Sequence, residues 1–337
     1  MKALITTDLH LTSNLDDFYR FGIFKRLKQL KDKTGADYLY ILGDLTDAKD
    51  NHPAKLVNAI CKEFYNLLEY FDSIIIVKGN HDYIDPYCPF FGFMNTMGIM
   101  FLISNFMEND AGIKSMFVPH TRDLRDLKKE IRGAGKLNYV FTHLTFSGAR
   151  ASNNYELEGV SGKWFENVGK VFSGDIHVPQ NIGNNIIYVG CPYHVRYGDE
   201  YAPRIICLDL ETGIYKSYPQ DDYFPRKYSI QLRDINQLKT YGIRKGDYLK
   251  ITYLINHIDS GSINDLKNSL IKEIEENIGA INKGIIFKSK INRVRLIKEG
   301  NRPETDLLNV DDTELVKKFA RKEKINNEIL DYGVGLL

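Results

Sequence analysis

The chain has 337 residues, enough for one large domain plus a small one, and its 43% hydrophobic and 26% charged content is that of an ordinary globular protein. Basic and acidic side chains nearly cancel, 45 against 44 for a formal charge of +1, so bulk charge neither selects nor excludes nucleic acid. The four cysteines (Cys61, Cys88, Cys191, Cys207) show no C-x-x-C spacing, which argues against disulfides and a zinc knuckle and fits a reducing cytoplasm. Residues 1–8 turn polar too soon for a signal peptide, and no apolar run approaches the ~20 residues of a membrane span.

In chain order, residues 2–7 read as a buried strand ending in Asp8-Leu9-His10. Phe18, Phe21, Phe24, Leu27 and Leu30 recur at three-residue steps and predict an amphipathic helix over 17–33. Residues 38–42 form a second strand, followed by Gly43-Asp44. Pro53 opens a helix whose apolar stripe includes Leu56, Ile60, Phe64 and Leu67. The run Ile74-Ile75-Ile76-Val77 predicts a third strand, which enters the loop Gly79-Asn80-His81-Asp82. Residues 83–109 are aromatic-rich without periodicity and stay unassigned between loop and short helix. Strands follow over 114–119 and 137–142, with a charged helix at 123–132 between them and His143 after the second. A strand at 170–173 leads into Gly174-Asp175-Ile176-His177, and strands at 186–189 and 204–209, joined by a polar loop, complete the set. Alternating strands and helices predict an α/β sheet with helices packed on it. A turn-rich segment at 219–225 marks a domain boundary. Beyond it, strands at 228–232, 248–254 and 285–297 and a helix at 263–277 suggest a small α+β domain. Residues 301–309 read as loose, and 313–330 as an amphipathic helix.

Asp8, His10, Asp44, Asn80, His81, His143, Asp175 and His177 all follow strands, where α/β sheets place their chemistry. Carboxylate, imidazole and amide oxygen suit a pair of divalent first-row ions, and the lack of cysteine argues against soft metals. Asp-x-His in an extended segment would point both side chains the same way. Asp44 could bridge two ions, one oxygen each. Two metals ~3.5–4 Å apart activate a water and clamp phosphoryl oxygens, while an unligated imidazole such as His81 could protonate the leaving oxygen. For His52, His120, His194 and His257 a structural role is the expectation, and the aromatics of 83–101 read as core rather than a base-stacking platform.

The ordered set D-x-H, G-D, G-N-H-D, H and G-D-x-H resembles the calcineurin-like metallophosphoesterase superfamily over residues 1–210. Within it, "GDIHVPQ" and "YVGCPYHVRYGDE" are most similar to the SbcD-type nuclease subunit of DNA double-strand-break repair complexes. The resemblance implies an α/β/β/α sandwich over 1–222, a small α+β capping domain over 223–300 and, over 301–337, a helix that anchors the chain to an ATPase. It implies one metal held by Asp8, His10, Asp44 and His177, another by Asp44, Asn80, His143 and Asp175, and His81 as general acid. Two positions depart from the family pattern. Asp175 stands where the family has the first histidine of G-H-x-H, a change that favours Mn or Mg over Fe or Zn. Asp47 stands where some relatives carry a second catalytic histidine. The implied function is Mn-dependent exo- and endonuclease cleavage at duplex DNA ends, with an SbcC-like SMC-family ATPase as partner, as a cytoplasmic homodimer with no membrane contact. The rivals are a small-molecule or cyclic nucleotide phosphodiesterase of the same superfamily, and a non-catalytic scaffold for the ATPase.

Overall fold

The computed structural model describes residues 1–255 and 260–289. Expectations for the end of the last strand, for 301–337 with its helix, and for His257 fall outside those residues. Met1–Lys290 form one compact unit.

The elements are, in order, β1 (Lys2–Thr6), α1 (Gly22–Thr34), β2 (Tyr38–Ile41), α2 (Ala54–Leu67), β3 (Ser73–Val77), β4 (Met100–Leu102), β5 (Phe106–Asp110), β6 (Ile113–Val118), α3 (Leu127–Gly133), β7 (Leu137–Thr142), β8 (Val168–Ser173), β9 (Gln180–Ile182), β10 (Ile186–Tyr188), β11 (Arg204–Asp209) and β12 (Tyr215–Pro219). They build two six-stranded sheets, ordered β12-β11-β1-β2-β3-β4 and β5-β6-β7-β8-β10-β9. Within the first, β1 to β4 run parallel; within the second, β6, β7, β8 and β10 do.

Side-chain alternation explains the layering. Ala3, Ile5, Tyr40, Ile75 and Val77 point from the first sheet toward Phe117, Phe141, Phe172 and Ile187 of the second, forming the core between the sheets. Their alternates Leu4, Leu39, Ile41, Ile74 and Ile76 point outward against Phe24, Leu27 and Leu30 of α1 and Ile60, Phe64 and Leu67 of α2. On the far side, Met116, Val118, Val140 and Val171 pack under Leu127 and Ile131 of α3 and under Phe165. The result is an α/β/β/α sandwich, as the family resemblance implies. Both faces of β1, β2 and β3 are covered, which is why residues 3–5, 38–41 and 74–77 read as unbroken apolar runs. Each fully buried Leu, Ile or Phe contributes about 1.5–3 kcal/mol.

Several element boundaries need correction. The helix expected over 17–33 begins as a 3-10 helix, Leu15–Phe21, before α1 proper; α1 ends at Gly35, whose left-handed φ of 66° caps the Lys31 carbonyl at 2.8 Å. The charged helix is shorter than expected and starts at Leu127, because the Asp123 carboxylate folds back onto the backbone N–H of Arg125. Strands β4, β5, β9 and β12 were not foreseen. They are short sheet edges, and β5 and β12 bury none of their residues fully. Cys61, Cys88, Cys191 and Cys207 are all free.

After a turn at 220–224 come β13 (Lys227–Leu232), β14 (Tyr248–Ile255), α4 (Ser260–Lys272), which continues as a π-helix over Glu273–Ile278, and β15 (Ile281–Ser289). The three strands form an all-parallel sheet, and Ile230, Leu249 and Ile251 share its core with Leu270 and Ile274. This small sheet is tied to the sandwich beside the first strand loop. Lys227, itself buried, pairs with Asp17 and donates to the Val195 carbonyl at 3.2 Å; Lys283 meets Asp16 at 2.7 Å; and Tyr248 packs on Tyr19 with ring centroids 5.6 Å apart.

Candidate active site

Because β1, β2 and β3 are parallel, and β7 and β8 likewise, their C-terminal ends lie on common edges of the two sheets. The loops leaving those ends carry all eight residues singled out in the sequence, and the structure brings all eight together. Asp8, His10, Asp44 and His143 are buried; Asn80, His81, Asp175 and His177 are half-buried.

Two groups of donors share Asp44. On one side the His10 and His177 Nε2 atoms lie 3.2 Å apart, with Asp8 Oδ1 at 3.9 Å and Asp44 Oδ2 at 3.7 Å from His10 Nε2. On the other, His143 Nε2 lies 3.4 Å from Asp44 Oδ1, 3.8 Å from Asp175 Oδ1 and 3.0 Å from the Asn80 side-chain oxygen. Each Asp44 oxygen therefore faces a different group. Donor atoms of Asp8, His10 and His177, and those of Asp8, Asp44 and His143, lie within 4.8 Å of one another.

The donor set fits cations. Asp8 Oδ1 is buried without a hydrogen-bond partner among the described residues. The Asn80 oxygen sits 3.0 Å from both Asp44 oxygens and from His143 Nε2, so acceptor faces acceptor unless a cation lies between them or the amide turns over. Electrostatics carries the same mark. Burial and the Asp44 charge push the Asp8 carboxyl up to about 7. Burial opposes the charge on His143, yet Asp44, Asp8 and Asp175 raise its imidazole to about 9. Protons thus stand where positive charge is called for. His177 goes the other way, to about 3, because burial, His10 and Arg196 all disfavour its cation, and it stays a neutral donor.

The loops achieve this convergence through strained backbone. Asp8, His10, Asp44 and Asp175 have φ values of 53°, 42°, 55° and 79°, in the left-handed region that ordinary residues avoid. The expectation that strand alternation aligns Asp8 with His10, and Asp175 with His177, is corrected here: left-handed turns after the strands do so. The motif glycines are explained by close approach. A Cβ at Gly79 would lie 2.3 Å from Asp44 Oδ1, and one at Gly174 would lie 2.1 Å from Thr7 Oγ1 and 2.7 Å from His143 Nδ1.

Four further residues hold the site and were not foreseen in these roles. Asp82, fully buried, accepts from the backbone N–H groups of Gly79 (2.7 Å), Asp44 (2.9 Å) and Leu45 (2.9 Å), clamping two ligand loops together. Burial and Asp44 raise its carboxyl to about 6. Arg20, in the 3-10 helix before α1, is buried and donates to the His10 carbonyl. Cys191 and Tyr193, in the loop read as polar, are fully buried beneath Asp8 and Leu9, whose carbonyls accept from the Cys191 thiol and the Tyr193 phenol. Asp82 was visible as the last letter of G-N-H-D, but nothing in sequence distinguishes a clamp from a ligand.

The other histidines among the described residues keep structural roles. His52 bonds Thr46 Oγ1 at 2.8 Å and packs on Phe90; His194 bonds the Tyr201 carbonyl at 2.9 Å. His120 lies nearer the site than expected, its ring 6.2 Å from His143 and its Nδ1 bonded to the Tyr83 hydroxyl at 2.9 Å. His81 donates its backbone N–H to Asp44 Oδ1 at 2.8 Å and its Nδ1–H to the Asp47 carbonyl at 2.9 Å, which leaves Nε2 unengaged.

A paired acidic and imidazole site at the strand ends of an α/β/β/α sandwich defines a metal-dependent hydrolase. The chain belongs to the calcineurin-like phosphoesterase family, whose model matches residues 1–179, a span containing all eight residues of the site. Members of this family use dimetal centres, and the chain is a phosphoester-hydrolysing, metal-binding enzyme of that class. A solved structure described as a novel archaeal phosphodiesterase is similar over 65% of this chain and 99% of its own, at 15% identity and a TM-score of 0.38. No curated protein matches the chain. Among the described residues, no helix is long and apolar enough to cross a membrane.

Proposed function

We propose that the chain is the nuclease subunit of a DNA repair and recombination complex of the SbcD type. In this reading it is an exonuclease and endonuclease that cleaves phosphodiester bonds at duplex DNA ends. It works with Mn2+ as a cytoplasmic homodimer partnered by an SbcC-like SMC-family ATPase. The observation that carries the hydrolytic part is the division of Asp44, one oxygen toward His10 and the other toward His143. The nuclease assignment draws on residues 188–200, the stretch whose sequence resembles the SbcD type. That stretch packs beneath Asp8 and Leu9 through Cys191 and Tyr193, and its Val195 carbonyl accepts from Lys227 of the small sheet.

Asp8, His10, Asp44 and His177 would hold one cation, and Asp44, Asn80, His143 and Asp175 the other. Bound there, two such ions supply Lewis-acid activation of water and neutralise the phosphate charge. Asp175, with its oxygen donor, tilts the second group toward the harder ions Mn2+ and Mg2+. His81, oriented through Nδ1, offers Nε2 to protonate the leaving oxygen. Arg196 is exposed and its charge is felt at His177, so it is placed to meet a phosphate entering beside that ligand.

End-labelled linear duplex DNA with Mn2+ tests this, alongside bis(para-nitrophenyl) phosphate. The proposal expects Mn2+-dependent loss of the DNA, and His81→Asn slowing it by about 10²- to 10³-fold, the range for loss of a general acid or oxyanion donor. Turnover of the small diester with intact DNA would replace the nuclease with a small-molecule phosphodiesterase. Inertness toward both would leave a scaffold.

A further inference from the structure

Asp47 occupies a junction and carries a carboxylate that the hydrolytic scheme does not use. Its backbone is anchored by its N–H to the Leu11 carbonyl at 3.2 Å, which joins the loop after β2 to the loop after β1. Its carbonyl accepts from His81 Nδ1 at 2.9 Å. Its carboxylate Oδ1 lies 3.3 Å from His10 Nδ1. Among the described residues that buried nitrogen has no aligned hydrogen-bond acceptor, and Asp47 Oδ1 is the acceptor in reach. The rings of His10 and His81 meet edge to face at 5.1 Å, both over this one residue.

A ring nitrogen cannot carry a proton and donate its lone pair to a cation, so the partner of one nitrogen decides what the other can do. We propose that Asp47 is a positioning residue for both imidazoles: its carboxylate holds the proton of His10 on Nδ1, and its carbonyl holds that of His81 on Nδ1. Both rings then present Nε2 to the site, His10 as a donor beside His177 and His81 toward the leaving oxygen. The residue that departs from the family pattern thereby supports the catalytic imidazole from behind. The inference rests on the metal-centre reading of His10, and its test is chosen to be separable from that reading.

The carbonyl survives side-chain substitution, so variants at Asp47 report the carboxylate alone. The first readout is the tautomer of His10 by 15N-imidazole NMR in the metal-free full chain, at a pH where the ring is neutral. The second is Mn2+ affinity by calorimetry. Wild type is expected as the Nδ1–H form. Asp47→Ala should move it to Nε2–H and weaken Mn2+ binding by about 10- to 100-fold, the usual cost of losing an outer partner of a ligand histidine. Asp47→Asn, whose amide oxygen still accepts from Nδ1, should fall between the two. The side chain is 58% exposed, so neither variant should lower Tm appreciably. An unchanged tautomer with unchanged affinity in Asp47→Ala overturns the proposal. If wild type binds no Mn2+, the metal-centre reading fails, and the tautomer comparison alone still decides the role of Asp47.

Discussion

Asp44→Asn should lower metal-dependent phosphodiester turnover by about 10³-fold or more while the protein stays folded. The substitution is isosteric and keeps one oxygen, but it removes the carboxylate whose two oxygens face different donor groups, Oδ2 toward His10 and Oδ1 toward His143. Loss of a single preorganised electrostatic partner already costs about 10²–10³ in rate, and here two groups lose theirs at once. The fold should tolerate the change. Asp44 is buried against Asp8 and Asp82 and raises the carboxyls of both, so its removal relieves repulsion that offsets part of the attraction it forfeits. Burial works against its own charge, but His143, His10 and His81 outweigh that and hold it below the ordinary carboxylate value. Steady-state kinetics with a small diester and a thermal melt on the same sample check both halves. Turnover within tenfold of wild type would mean that Asp44 does not join two ions.

Asp82→Ala should show the opposite balance, with stability failing first. Its carboxylate is fully buried and accepts three backbone N–H groups, those of Gly79, Asp44 and Leu45. Alanine leaves all three donors unsatisfied inside the protein, at about 1–3 kcal/mol each. Even toward the low end of that range the loss is about 3–5 kcal/mol, a fall in Tm on the order of 10 °C for a domain of this size. Mn2+ affinity should drop with it, because the clamp sets the distance between the Asp44 loop and the Asn80 loop. Asp82→Asn keeps an acceptor oxygen and should lose less. Differential scanning calorimetry of the three proteins measures it, and an alanine variant melting within 2 °C of wild type would show that the loops stand without the clamp.

What was legible in the sequence, and what was not, follows from where the decisive forces act. Ile74 to Val77 announces itself because both faces are covered and the apolar run is continuous; the strand Leu137–Thr142 does so by its run Tyr139-Val140-Phe141, with only the exposed Asn138 breaking the pattern near its start. Gln180–Ile182 has no such signal; it is a strand because Gln180 pairs with Tyr188 across the sheet, a tertiary fact that three residues do not encode. The site's membership was readable because its residues follow strands in a recognisable order. Its construction was not. The left-handed backbone at Asp8, His10, Asp44 and Asp175 is imposed by the packing of loops from two sheets. The Asp82 clamp exists only once two loops meet. Helical periodicity likewise says nothing of Arg20 donating to the His10 carbonyl, a contact between the 3-10 helix and the loop after β1.

The most direct test of the two-ion site is Mn2+ titration of the full chain, read by calorimetry for stoichiometry and by EPR for spin coupling. With Asp44 bridging two groups, two ions per chain are expected, and ions about 3.5–4 Å apart should give an exchange-coupled spectrum. One ion per chain, or two that remain magnetically isolated, would contradict the shared-carboxylate site on which the hydrolytic account depends.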